Sequence, residues 1–218
     1  MLHKTIKENL KTLGQKRLNI LKQLKFLKDH RFYLAGGTAL ALQLGHRISL
    51  DFDFYTEEKF NLETLLQDFQ KHFKNVQLIR KVKNTLILSI DNIEMGLFSY
   101  PYPLISPLIK IPEANLASME DICAMKIVAI IQSGTKRDFI DIYFLIKKFG
   151  LDRIFTLAQE KYKGLFNKYL ALQSLTYFID ADKEKEEQRT KTSTTISWDK
   201  IKKELIRTVQ DFKKRHLS

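Results

Sequence analysis

Residues 33–54 read YLAGGTALALQLGHRISLDFDF and contain the features that decide the fold. A short run of strand-like composition meets Gly36-Gly37-Thr38, and a run of helix formers then ends at Gly45. From Leu50 to Tyr55, aspartate alternates with phenylalanine, which is typical of a strand with one polar and one buried face. The stretch therefore predicts a strand, a tight glycine turn, a helix and a second strand.

The flanking sequence extends this pattern into a larger domain. Apolar spacing predicts amphipathic helices at 2–29 and 61–73, and three further strand candidates follow at 76–81, 85–90 and 93–98. All four prolines lie between residues 101 and 112, which favours irregular chain there, and the sequence beyond them has helical periodicity.

These segments predict an α+β fold, in which a small mixed β-sheet with flanking helices precedes an all-helical C-terminal region. We place an α/β domain with a basic N-terminal helix at 1–100, a proline-rich connection at 101–117 and a helical domain at 118–218. The last of these is expected to contain a mobile loop near 180–197, because that stretch is polar and rich in charge and threonine.

Composition narrows the class of protein. The chain carries 37 Lys and Arg against 25 Asp and Glu, and the resulting formal charge of +12 favours an anionic partner such as nucleic acid or nucleotide. The single cysteine, Cys123, excludes an internal disulfide and a cysteine-based zinc cluster. We find no secretory signal and no apolar run near the ~20 residues that span a bilayer, so we expect a cytoplasmic protein without a membrane partner.

Two acids on the second strand are candidate metal ligands. Residues two apart on a strand point to the same face, with their Cα atoms about 6.5 Å apart, so Asp51 and Asp53 converge on one side. Paired carboxylates repel each other unless a cation or a proton lies between them. Mg²⁺ prefers oxygen ligands and shares them with substrate phosphates, so it is the cofactor we expect here.

The glycine turn is a candidate phosphate site. Gly36 and Gly37 let an anion approach the backbone, the helix start adds N–H donors, and Thr38 can cap the helix or bond a phosphate oxygen. Either feature alone has an ordinary explanation, as a plain turn or as two solvated acids. In this order they indicate a phosphoryl or nucleotidyl transfer site.

The block at 33–54 resembles the signature of the AbiEii/AbiGii-type toxin nucleotidyltransferases, which belong to the polymerase-beta-like nucleotidyltransferase superfamily. The resemblance covers nearly the whole chain, since it continues through 98–103, 121–126, 135–143, 174–182 and Trp198. It implies the nucleotidyltransferase fold and Mg²⁺-dependent transfer of a nucleoside monophosphate from an NTP. It also implies a role in bacterial abortive infection or toxin–antitoxin systems, with a separately encoded antitoxin as partner and tRNA as an acceptor among relatives.

The resemblance assigns roles to individual residues. Gly36, Gly37 and Thr38 match the phosphate-holding motif, and Asp51 and Asp53 match the metal ligands. The remaining matches are Lys126, which would neutralise the triphosphate; Asp138 and Asp141, which would position nucleotide or acceptor; and Arg47 and Ser49, which would contact phosphate. Ser49 could instead brace the loop, and the two acids, three residues apart on one helix face, could instead stabilise the start of their helix.

One position departs from the pattern. The third catalytic carboxylate of the superfamily aligns with Gly96, and glycine can neither bind metal nor act as a base. Either Glu94, two residues earlier on the same strand, substitutes as a catalytic acid, or the protein works with two carboxylates.

The sequence thus predicts an NTP-dependent nucleotidyltransferase whose acceptor is RNA, on the grounds of the basic surface. Two alternatives stay open: a nucleotide- or RNA-binding module with impaired catalysis, and a nucleotidyltransferase that modifies a protein or a small molecule.

Overall fold

The computed structural model describes residues 2–184 and 196–216, which form two compact units. The first unit consists of the residues up to Gly45 together with Ser49–Ser118. The second consists of His46–Ile48 together with the residues from Met119 onward. The chain therefore leaves the first unit for three residues and returns to it just before Asp51.

The first unit contains the predicted mixture of helices and strands. Its helices are α1 (Leu2–Leu10), α2 (Gly14–Gln23), α3 (Gly36–Leu44) and α4 (Leu62–His72). Its strands are β1 (Tyr33–Leu34), β2 (Phe52–Thr56), β3 (Val76–Val82), β4 (Thr85–Ile90), β5 (Ile93–Ser99), β6 (Ile109–Lys110) and β7 (Asn115–Leu116). The predicted helix at 2–29 is interrupted, because the chain turns at Gly14, whose φ is +75°.

The strands form one mixed sheet in the order β3-β4-β5-β2-β1-β7-β6. β2 runs antiparallel to β1 and parallel to β5, so the acid-bearing strand lies inside the sheet between the two. Burial alternates from Asp51 into β2: Phe52 and Phe54 are buried, whereas Asp51, Asp53 and Tyr55 are half-buried. The phenylalanines hold the strand in the core, and the acids occupy the opposite face.

The connection predicted at 101–117 is partly strand, which corrects its assignment as irregular chain. β6 and β7 lengthen the sheet, with Ile111 N–H donating to the Ala114 carbonyl in their turn (3.0 Å). The Ala117 N–H donates to the Leu34 carbonyl (2.8 Å). β6 lies between Pro107 and Pro112 and β7 follows Pro112, so neither strand includes a residue without an N–H.

The second unit is helical in the part of it that the structure describes. Its helices are α5 (Met119–Ser133), α6 (Lys136–Phe149), α7 (Leu151–Tyr162), α8 (Lys168–Ser174), α9 (Ile179–Lys183) and α10 (Trp198–His216). α5 packs against α6, α7 and α8, and α10 packs against α6 and α7. Among the described helices of both units, none combines the length and the apolar character needed to cross a bilayer.

The mobile loop predicted near 180–197 is corrected at its start, where α9 is helical. The polar residues there are paired: the Asp182 carboxylate accepts hydrogen bonds from Trp198 Nε1 (2.6 Å) and Lys202 Nζ (2.9 Å). Acids in the first turn also favour a helix. The rest of that prediction, residues 185–195, lies outside the described residues.

Candidate active site

The carboxylate of Asp53 lies between two glycines on neighbouring elements. A Cβ added to Gly36 would stand 2.9 Å from Asp53 Oδ2, and one added to Gly96 would stand 3.3 Å from Oδ1. Gly96 is also the register partner of Asp53 in the parallel β2–β5 pair. The carboxylate can therefore occupy this place only because the two neighbouring positions lack a side chain.

The glycine turn is tied directly to the acid strand. The Ala35 N–H donates to the Asp53 carbonyl (2.9 Å), and Gly36 then adopts a φ of +61°, which a residue with a Cβ rarely tolerates. α3 begins at Gly36, and Ala35 supplies no side-chain cap. The first N–H groups of a helix have no intrahelical acceptor, so Gly36, Gly37 and Thr38 present their amides at the edge where Asp53 lies.

The segment that leads into Asp51 is held by side chains of the same unit. Thr38 Oγ1 hydrogen-bonds to Ser49 Oγ (2.8 Å) and donates to the carbonyl oxygen of Asp51. Arg17 Nε donates to the Leu50 carbonyl (3.0 Å). The bracing role considered for Ser49 is thus visible, and Thr38 shares it. Arg17 is a positioning residue that the sequence did not reveal, because it lies within a run of surface lysines.

The position of the missing third carboxylate is closed by an aromatic ring. A Cβ on Gly96 would overlap two ring carbons of Phe98, which is half-buried and follows Gly96 by two residues on β5. Glu94, the proposed substitute, is exposed and pairs with Ser89 of β4, whereas in the β2–β5 register the partner of Asp53 is Gly96. Phe98 was not a candidate in the sequence, since only the strand register brings it beside the acids.

The second unit holds a separate buried cluster around Asp141. Arg47 binds this carboxylate with two hydrogen bonds, from Nε to Oδ1 (2.7 Å) and from Nη2 to Oδ2 (2.9 Å). His46 Nε2 lies 2.7 Å from Oδ1, and Lys126 Nζ lies 2.8 Å from Oδ2. Lys126 also donates to Asp138 Oδ1 (2.7 Å). The structure thus brings together Arg47, Lys126, Asp138 and Asp141, the four candidates that belong to this unit.

Asp138 also caps its own helix. Its Oδ2 accepts hydrogen bonds from Thr135 N (3.1 Å) and Thr135 Oγ1 (2.7 Å), and the Asp138 N–H donates back to Thr135 Oγ1. This reciprocal arrangement is a capping box at the start of α6. The helix-stabilising role considered for the acid is therefore present in the structure.

Opposite charges hold this cluster in its ionised form. Burial alone would raise the pKa of Asp141, but Arg47, Lys126 and the hydrogen bond from His46 outweigh it and hold that pKa well below its usual range. Burial likewise opposes ionisation of Asp138, yet Lys126 and Thr135 lower its pKa. For Lys126, burial lowers the pKa, and the two carboxylates overcome this and raise it. The cluster carries two positive and two negative charges before His46 is counted.

The first unit offers two carboxylates, Asp51 and Asp53, that fit a hard divalent cation. Asp51 directly precedes β2 and Asp53 lies on it, both supply carboxylate oxygens, and Asp53 lies beside the glycine turn at which α3 begins. Over residues 2–184 and 196–216, no group of three or more histidine, cysteine, aspartate or glutamate side chains is arranged as a metal site.

Comparison with known proteins points to one family. Residues 19–103 and 87–215 match a family described as the nucleotidyl transferase AbiEii toxin of type IV toxin–antitoxin systems. An uncharacterised protein of Aquifex aeolicus (strain VF5), aq_aa25, is 40% identical over 163 residues, which cover 70% of this chain and 76% of that protein.

Two solved structures share the fold at low sequence identity. JHP933 from Helicobacter pylori is 19% identical with a TM-score of 0.56, and the match covers 94% of this chain and 93% of that one. The nucleotidyltransferase toxin MenT4 from Mycobacterium tuberculosis H37Rv is 14% identical with a TM-score of 0.55, and the match covers 94% and 88% of the two chains.

Proposed function

This chain belongs to the AbiEii nucleotidyltransferase toxin family, and from that premise we propose that it moves a nucleoside monophosphate from an NTP to a hydroxyl of RNA, with tRNA as the expected class. In this reaction the acceptor oxygen forms a bond to the α-phosphorus, the bond to the β-phosphate breaks, and pyrophosphate leaves. The observation that carries the proposal is the Asp53 carboxylate, which lies against the glycine turn of α3.

The residues of the first unit would have three roles: phosphate binding, metal binding and positioning of the acids. The backbone amides of Gly36, Gly37 and Thr38 would bind the β- and γ-phosphates, because they begin a helix without a side-chain cap. Asp51 and Asp53 would hold Mg²⁺, which when bound neutralises charge on the phosphate oxygens. Ser49 and Arg17 keep the chain that carries Asp51 in place through the contacts described above.

The remaining assignments are proposals that rest on the family resemblance. Lys126 would offset triphosphate charge, Arg47 would contact phosphate, and Asp138 and Asp141 would position nucleotide or acceptor. Their charges already engage one another in the second unit, so each of them also has a structural role. Glu94 is proposed as the substitute acid because it lies on the same strand as Gly96.

The choice of RNA as acceptor rests on charge. The net charge is +12, and most of the basic residues in the first helices are exposed: Lys4, Lys7, Lys11, Lys16, Lys22 and Lys25. Solvated lysines bind phosphate without regard to sequence. In keeping with the family, we also propose a cytoplasmic site of action and a separately encoded antitoxin as partner.

Label transfer tests the reaction. The purified protein is incubated with each α-³²P NTP, Mg²⁺ and total cellular RNA, beside the variants Asp51→Asn, Asp53→Asn and Glu94→Gln. Asp199→Asn is the matched control, because this aspartate is exposed and lies in the second unit. We expect label on RNA with the wild type and the control, and none with Asp51→Asn or Asp53→Asn. Label on RNA with Asp51→Asn or with Asp53→Asn would refute the role proposed for that residue.

A second candidate function is a nucleotide- or RNA-binding module without turnover. The Phe98 ring over Gly96 favours it, since that ring occupies the place from which a third carboxylate would extend. This candidate predicts Mg²⁺-dependent NTP binding with no label on RNA, protein or small molecules. Label on a protein or a small molecule alone would instead identify a different acceptor for the same chemistry.

A further inference from the structure

The two oxygens of the Asp53 carboxylate face different chemical surroundings. Oδ2 lies on the side of Gly36 and the amides that begin α3. Oδ1 lies on the side of Gly96, where the ring of Phe98 covers the glycine. One side of the carboxylate is therefore suited to phosphate, and the other is bounded by an aromatic surface.

Phe98 belongs to a group of aromatic rings on the face of the sheet that carries the acids. It is the register partner of Tyr55, and the two rings stack with their centroids 5.0 Å apart and their planes inclined by 29°. Tyr100 meets Tyr55 edge to face at 5.4 Å. All three are half-buried, whereas Phe52 and Phe54, which point to the other face, are buried. These three rings are thus less buried than the two phenylalanines that hold the strand in the core.

We propose that Phe98 is a stacking surface for a nucleobase at the active site. The inference rests on the proposed function: if the triphosphate lies against Gly36, the nucleoside half of the NTP and the end of the acceptor must lie on other sides of Asp53. Stacking of a base on an aromatic ring is favourable for every base, because each has a π-face. The same chemistry serves the base of the NTP and the terminal base of the acceptor, and the experiment separates the two.

This role gives a physical reason for the glycine at 96. Any side chain there would displace the Phe98 ring, so a third carboxylate and this stacking surface exclude each other. In this chain position 96 is a glycine, and the ring of Phe98 covers it.

Three ligands and three variants test the proposal in the full chain. Titration calorimetry measures Kd for each Mg²⁺·NTP, for a short single-stranded RNA and for tripolyphosphate, which has no base. Phe98→Leu removes the π-face but stays apolar, Phe98→Tyr retains the ring, and Tyr169→Leu removes an exposed ring (65% exposed) from the second unit as a control. We expect Phe98→Leu to weaken either NTP or RNA about tenfold while tripolyphosphate binds unchanged. Phe98→Tyr and the control should bind as the wild type does.

The arms of the test have distinct meanings. Weaker NTP binding assigns the ring to the donor base, and weaker RNA binding assigns it to the acceptor. If Phe98→Leu binds NTP and RNA normally, or loses tripolyphosphate equally, the ring is only packing and the proposal is wrong. A wild type that binds NTP but transfers nothing refutes the proposed reaction and leaves the stacking testable, whereas a wild type that binds none of the ligands refutes both.

Fluorescence gives a second measurement if Phe98→Leu fails to fold. The chain has one tryptophan, so Phe98→Trp in a Trp198→Phe background reports from this position alone. NTP or RNA should quench its emission and tripolyphosphate should not. Equal emission with all three ligands would overturn the proposal.

Discussion

Asp53 packs against Gly36 so closely that the carboxylate occupies the space a side chain would need. The distance from Oδ2 to the position of a Cβ on Gly36 is 2.9 Å, shorter than real Cβ contacts. The helix start and the acid strand therefore determine each other's position, and a change at the glycine is transmitted to the carboxylate.

Replacement of Gly36 by alanine should damage both stability and turnover. The positive φ costs about 1–2 kcal/mol in unfolding free energy for an L-residue, and the added methyl must push Asp53 aside. Because a displacement near 1 Å in a catalytic group costs about 100-fold in rate, we expect nucleotide transfer to fall by about that factor. Gly14→Ala is the control, since Gly14 has a φ of +75° and nothing within 4 Å of an added Cβ. It should lose similar stability and keep its rate; equal rates for both variants would contradict the close packing.

An aspartate introduced at position 96 should destabilise the protein as long as Phe98 is present. Gly96→Asp forces the Phe98 ring to move, and overpacking of this kind costs about 1–3 kcal/mol. In a Phe98→Ala background the same substitution should cost clearly less. A double-mutant cycle on urea unfolding measures the coupling between the two positions. Additive costs would show that the ring does not occupy this space.

The Asp141 cluster should make the protein sensitive to acid. Asp138 and Asp141 have lowered pKa values in the folded protein. Their stabilisation is therefore complete above the ordinary aspartate pKa of about 3.9 and is lost as the pH falls through the folded values. The raised pKa of Lys126 affects stability at alkaline pH. Its contribution is complete below the ordinary lysine pKa and is lost only as the pH rises past the pKa of the folded protein.

Asp141→Asn tests this directly. Removal of one buried charge leaves Arg47 and Lys126 undercompensated, which should cost about 3–5 kcal/mol at neutral pH. The variant should also lose less stability than the wild type between about pH 4 and pH 2, as measured by urea midpoints. Parallel stability curves for the two proteins would show that Asp141 does not titrate in this range.

A second buried ion pair in the helical unit should affect the free energy of unfolding most when only one of its two charges is removed. Lys161 Nζ lies 2.7 Å from Asp121 Oδ1, and both side chains are fully buried. Lys161→Met leaves a buried carboxylate and should cost about 3–5 kcal/mol, whereas Lys161→Met with Asp121→Leu removes both charges and should recover much of that loss. The free energies of unfolding of the wild type, the single variant and the double variant, measured in urea, test this expectation. A double variant no more stable than the single one would point to strong net attraction in the pair.

Charge reversal on α1 should weaken RNA binding in a salt-dependent way. Lys4 and Lys7 of α1 and Lys11, which directly follows α1, are exposed and succeed one another at helical spacing. Their replacement by glutamate should lower RNA affinity and reduce the slope of log K against log salt by about two or more. Lys200, Lys203 and Arg207 have the same spacing on α10 and are also exposed, so their reversal is the matched control. Unchanged turnover in the first variant would favour a protein or small-molecule acceptor.

The sequence predicted the first hundred residues closely because each signal there is local. The Asn61 side chain caps α4 as helix-start residues do, by accepting from the N–H groups of Glu63 and Thr64. β3, β4 and β5 follow the alternation and the turn residues between them. Where pairing is long-range, local signals were insufficient. β7 pairs with β1 through Leu34 and Leu116, which are far apart in the chain, and nothing near the prolines reveals this pairing.

In the candidate site too, some features could be predicted from the sequence and others depend on long-range contacts. The proximity of the glycine turn to Asp53 could be expected from neighbouring strands, and the structure shows it. The ring over Gly96 could not, since it depends on a side-chain orientation two residues further along the strand. Arg17 was also hidden, because its hydrogen bond to Leu50 spans 33 residues and its sequence surroundings are those of an ordinary solvated helix.

The three residues His46–Ile48 have a consequence for how such proteins can be recombined. They belong to the helical unit although the chain on both sides of them belongs to the other. No single cut separates the two units, and a fragment that begins at Met119 would carry Asp141 into its core without Arg47 or His46. The helical unit can therefore not be exchanged as one continuous segment. A chimaera that replaces the residues from Met119 onward must also replace His46–Ile48, which lie within the sequence of the other unit.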